Sequence, residues 1–202
     1  LGAVSSLSSS LSSSLDQIDH AEDKYYRILT NVKLKKEEKK NFVFILAGRS
    51  SSDGCFIPEE TDESQNIWVI TKEEYESKDF SGKKVIILES KGTVNVSCVT
   101  YRRLAVNAFL KNAEIKKNHL SIIFDDNLKT IYGAKNIKEF YKKARREFSE
   151  APQESSSDIY ILSLGQRGMS KDKESFGCKV FIIKTLKYKK LLKKLQKKDL
   201  KL

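Results

Sequence analysis

The 202-residue chain is 39% hydrophobic and 32% charged, with a formal net charge of +11, which suits a folded domain with a heavily charged surface and argues against a disordered chain. At this length roughly 70% of the unfolded surface is buried on folding, so a core needs neither disulfide nor metal to hold it. Cys55, Cys98 and Cys178 form no C-x-x-C pair and His20 and His119 are the only histidines, which excludes a thiolate zinc site and a histidine-rich metal centre.

No apolar run approaches the ~20 residues of a membrane span, and no basic stretch followed by an apolar segment marks a secretory signal. With unpaired cysteines, this predicts an intracellular protein, cytoplasmic or nuclear.

Along the chain, residues 1–14 are serine-rich and are expected to be flexible. Val4, Leu11, Ile18, Tyr25 and Val32 lie seven apart, with Leu7, Ala21 and Ile28 beside them. That repeat predicts an amphipathic helix over 15–38, suited to coiled-coil self-association or to a protein partner.

An α/β domain is expected over 39–183. Asn41 to Ala47 is a β-rich apolar run ending at Gly48, followed by a polar loop. Ile67 to Thr71 and Lys84 to Leu88 are the next strands, and Val99 to about Lys116 has the apolar spacing of a helix. His119 to Phe124 predicts a strand, Ala134 to Phe148 a helix, and Ile159 to Leu164 and Lys179 to Ile183 two further strands. Strands alternating with helices predict a central sheet of about six strands. It is expected to be mixed, because some neighbouring strands have no helix between them.

Residues 184–202 hold nine lysines against the single acid Asp199, leaving only +3 for the rest of the chain. Tyr188, Leu191, Leu192, Leu195 and Leu202 share one face of the helix this segment predicts, which makes it amphipathic and basic. Three occupants suit the lysine face. Nucleic acid would bind Lys187, Lys190, Lys193, Lys194 and Lys197 by counterion release. An acidic membrane surface would attract the same charges. Water alone is the third, with the helix docked by its leucines. Arg102 and Arg103, beside Tyr101, are further candidate phosphate contacts, and Tyr101 and Tyr141 could stack on bases or sit in the core.

The sharpest local signal for chemistry is Val85-Ile-Ile-Leu-Glu89-Ser-Lys91, a strand ending in a carboxylate and an amine two residues apart, hence on one face. Glu89 could hold a divalent cation while Lys91 steadies a water or scissile phosphate, or the two could form a surface ion pair. Over residues 15–125 the chain resembles the PD-(D/E)xK nuclease superfamily: a leading helix, three strands with E-x-K on the third, a helix and another strand. The resemblance implies Mg²⁺-dependent phosphodiester cleavage with Glu89 and Lys91 as catalytic residues. The family's aspartate on the preceding strand has no clear counterpart, since Asp62 precedes that strand and Asp79 lies in a turn. If strands 84–88 and 119–124 are parallel, Glu89, Asp125 and Asp126 would converge on one sheet edge as a Mg²⁺ site resembling the Toprim arrangement. The alternative is that Asp125-Asp126-Asn127 ends a strand and begins a turn.

Overall fold

The computed structural model describes residues 15–20, 23–35, 40–47, 59–115, 119–125, 136–150, 161–163 and 180–199. The strands are β1 (Asp16–Gln17), β2 (Tyr26–Thr30), β3 (Asn41–Leu46), β4 (Ser64–Thr71), β5 (Val85–Ser90), β6 (Leu120–Asp125), β7 (Ile161–Ser163) and β8 (Val180–Lys184). The helices are α1 (Lys72–Ser77), α2 (Val99–Asn112), α3 (Ile137–Glu150) and α4 (Thr185–Asp199). All eight strands form one mixed sheet in the order β1-β2-β5-β4-β3-β6-β8-β7.

The centre of the sheet is parallel. β3 pairs with β4 and with β6, and β4 with β5. Every residue of β3 is buried, as a continuous apolar run requires when helices or other side chains cover both faces. Phe42, Phe44 and Leu46 join Ala105, Phe109 and Leu110 of α2 on one face, where Tyr188 of α4 also packs. Val43 and Ile45 meet Phe140, Tyr141 and Ala144 of α3 on the other. Alternation along the strand thus decides which helix each side chain meets.

Antiparallel strands flank this centre, β2 beside β5 and β8 beside β6. The N-terminal flank overturns the heptad expectation, because residues 15–38 supply strands β1 and β2 and show no helix among the described residues. The discriminating pair is Tyr25 and Tyr26. The seven-residue stripe needs Tyr25 inside, yet it is 47% exposed while Tyr26 is 2% exposed. Tyr26–Thr30 alternates buried and half-buried residues, the period of a strand, and its Tyr, Ile and Thr favour a pleated surface. The apolar residues that produced the repeat, Ile18, Ile28 and Val32, are in the main core, so they are not a surface stripe awaiting a partner helix. Residues 1–14 lie outside the described residues.

A polar clasp fixes this flank. The Thr30 hydroxyl donates to the Val85 carbonyl at 2.7 Å, and Asn31 both accepts from the Val85 amide at 2.9 Å and donates to the Lys83 carbonyl at 2.8 Å. At the other flank β8 runs directly into α4. The Thr185 hydroxyl shares a buried hydrogen bond of 2.8 Å with Ser121 at that junction.

Candidate functional site

The sheet brings the carboxyl ends of β3, β4, β5 and β6 to one edge, and the strand order gives that edge a switch point. From β3 the chain steps to β4 and β5, then crosses by α2 to β6 on the far side of β3. Ligands of open α/β sheets bind where such strands diverge. At this point stand Ala47 after β3, Asp125 at the end of β6, and Arg103 from α2, whose guanidinium is 3.8 Å from the Asp125 carboxylate and 4.9 Å above the Phe181 ring. Asp125 and Arg103 are each legible as candidates in the sequence, but their meeting here is not, since strand order is not written in spacing.

Glu89 and Lys91 occupy this edge without meeting. Arg27 faces Glu89 in the β2–β5 register and forms an ion pair with it, and the Lys72 ammonium donates to it at 2.6 Å. Burial disfavours ionisation of Glu89, but the hydrogen bond and charge of Lys72, with those of Arg27, outweigh it and hold the carboxyl below its ordinary value of 4.5. The bond to Glu89 likewise raises Lys72 above 10.5, against the opposing effect of its own burial. Lys91 lies beyond the end of β5 and donates to the Asp23 carbonyl at 2.6 Å, with the Asp23 carboxylate at 3.3 Å. Each residue thus ties β5 to a different part of the N-terminal flank.

The acids that could complete a metal site are elsewhere. Asp62 precedes β4 at the amino edge, more than about 20 Å along the strand direction from Glu89. The Asp79 carboxylate accepts from the Ser81 amide at 2.8 Å in a turn. β5 and β6 are parallel in direction but separated by β4 and β3, which sets Glu89 and Asp125 about 14 Å apart across the sheet. Asp126 lies outside the described residues. No group of three His, Cys, Asp or Glu side chains assembles for a cation among the described residues. Glu89 and Asp125 therefore do not share one site.

The adjacent arginines of α2 differ completely. Arg102 is 1% exposed and saturated: it donates to the Val69 carbonyl at 2.7 Å, to the Ser97 carbonyl at 3.2 Å, and through two nitrogens to Glu74 at 3.0 and 3.1 Å. Glu74 also closes the capping box of α1, accepting from the Thr71 amide at 2.8 Å. Arg102 is therefore an internal tie between α2, α1 and β4, out of reach of a phosphate. Tyr101 beside it lies edge-on to Tyr26.

Helix α4 presents the remaining candidates. Lys187, Lys190, Lys193 and Lys194 are exposed; the side chain of Lys197, one turn on, lies outside the described residues. The opposite face is docked: the Tyr188 hydroxyl donates to Asn107 of α2 at 3.0 Å, and burial raises that phenol's pKa, with the Asn107 bond opposing in part. Lys189 turns inward and its ammonium donates to the Ala113 carbonyl at the end of α2, where positive charge complements the helix dipole. Burial, then Lys193, pull Lys189 below its ordinary value, with Glu114 opposing. At the start of the helix, burial and then Lys187 lower Lys184. The amphipathic pattern thus has a physical meaning, with inner lysines capping and packing and outer lysines facing water.

No described helix is long and apolar enough to cross a membrane. Comparison of the chain with family models, with curated proteins and with solved structures gave no match.

Proposed function

We propose that the protein binds the phosphate backbone of nucleic acid through the outer face of α4, as a binding protein and not a nuclease. The observation that carries this reading is the division of α4 into a docked face, held by Tyr188 and Lys189, and an exposed face bearing Lys187, Lys190, Lys193 and Lys194. Exposed lysines on a docked helix can neutralise phosphates and release their counterions without first ordering the segment that carries them. The engagement of Glu89 by Lys72 and Arg27 favours binding over cleavage, since a carboxylate held by two cations is a poor ligand for a third.

Self-association through residues 15–38 loses its support, because Ile18, Ile28 and Val32 are buried in the core. An acidic lipid surface remains the rival occupant of the lysine face and is separated by experiment.

Fluorescence anisotropy with labelled DNA or RNA, from 50 to 200 mM salt, tests the proposal. Binding should fall steeply with salt, and replacing Lys187, Lys190, Lys193 and Lys194 together by Gln should flatten log K against log salt by about 0.9 for each lysine lost. The absence of binding at low salt, or a slope unchanged in the quadruple variant, would sink it. Cleavage that requires Mg²⁺ and disappears in Glu89→Ala would restore the nuclease reading.

A further inference from the structure

We infer that the preferred nucleic acid is a duplex, gripped by its phosphates alone, an inference that rests on the binding proposed above and adds to it the class of ligand. Single strands reward proteins that offer aromatic rings beside their cations, because each stacked base contributes about 1–3 kcal/mol. The aromatic residues nearest the basic clusters point the other way. Tyr188, the ring on α4 itself, is turned into the core and bonded to Asn107. The Tyr101 ring meets Tyr26 at a centroid distance of 5.3 Å and an interplanar angle of 78°. Tyr141, which precedes Lys142 and Lys143, is 1% exposed beneath α3.

The lysine face is therefore a device for charge without stacking. At about 100° per residue, Lys187, Lys194, Lys190 and Lys193 fan across roughly 120° of the helix surface. Such a fan addresses phosphates on more than one line, which a duplex supplies and a lone strand does not. The duplex also carries one charge per about 1.7 Å of axis and returns a salt exponent of about 0.9 for each contact, against about 0.7 for a single strand. With four to six lysines engaged, the difference amounts to about ten- to fortyfold in affinity at 50 mM salt. Base identity should not matter, since no group that reads a base edge accompanies the lysines on the exposed face described.

The experiment compares a 20-base-pair duplex, its two separated strands and phosphatidylserine vesicles, each titrated against the full chain at several salt concentrations. The expected result is a duplex affinity about ten- to fortyfold above either strand at 50 mM salt, with a slope of about −3.5 to −5.5 and equal affinity for A·T-rich and G·C-rich sequences. Tyr188→Leu should leave the duplex preference unchanged. Single strands bound as tightly as the duplex, or a strand affinity that drops in Tyr188→Leu while the duplex affinity holds, would overturn the inference while leaving nucleic-acid binding intact. Failure to bind any of the nucleic acids would remove the underlying proposal as well. So would tighter binding to the vesicles than to the duplex.

Discussion

The first turn of α2 and the outer face of α4 carry charge of the same sign in opposite circumstances. Arg102 is enclosed by Val69, Ser97 and Glu74 and meets nothing outside the chain. The lysines at 187, 190, 193 and 194 stand in water on a helix whose other side is docked. In one-dimensional sequence the Arg102-Arg103 pair and the lysine run look equally suited to phosphate. What separates them is whether the fold encloses the cation, and α1 brings Glu74 to Arg102.

Removing the enclosed charge should have the largest effect. Arg102→Ala strands Glu74 and a strand carbonyl without their partner, and the expected loss is about 3–5 kcal/mol in urea unfolding, with affinity per folded molecule retained. A loss of duplex affinity with stability intact would instead place Arg102 among the binding groups. Ile28→Ala is expected to cost about 2–5 kcal/mol, because it opens a cavity beneath β2. Were residues 15–38 an assembly helix, the same change would alter the sedimentation mass, which should stay as it was.

Thr71→Ala removes the capping hydroxyl of α1 and loosens the Glu74 carboxylate that serves Arg102, for about 1 kcal/mol. The smallest effect is the pH response of the Lys72–Glu89 pair. Glu89 is lowered in the folded chain, so its contribution is present above about pH 4.5 and is lost as pH falls through the folded value. Lys72 is raised, so its contribution is present below about pH 10.5 and is lost as pH climbs through the folded value. Both groups are partly exposed and solvent-screened, so the difference between the parent and Glu89→Gln should vanish at low pH, shrink at high pH to what the Arg27 pair still contributes, and stay under about 1 kcal/mol between them.

The centre of the sheet is legible in the sequence because β3, β5 and β6 are short, mostly apolar runs, rich in β-branched and aromatic residues and bounded by polar ones, which together favour a buried strand. Residues 15–38 mislead for a definite reason. Ile18 and Val32 each lie seven positions from Tyr25, and both the helical and the extended reading bury them. Only the choice between Tyr25 and Tyr26 distinguishes the two, and that is settled by the need of β5 for an antiparallel neighbour. The site was less legible still. Glu89 finds Arg27 across β2 and Lys72 at the start of α1, and no local pattern announces either partner. The lysine face of α4 was legible because it is local, each lysine being placed by helical period alone.

Among the described residues the sheet ends on one side in a strand of two residues, β1, with Asp16 facing Lys33 at 3.8 Å. A broad array rich in Val, Ile and Phe is the kind of surface on which a second molecule could continue the hydrogen-bond ladder. Two residues give an incoming strand too little backbone to register against, and a charge at the rim adds a desolvation cost. The brevity of β1 is thus a safeguard against fibrous growth at that edge. Lengthening β1 by β-branched substitutions at Asp16 and Gln17 should appear first as lost solubility, before any change in unfolding free energy.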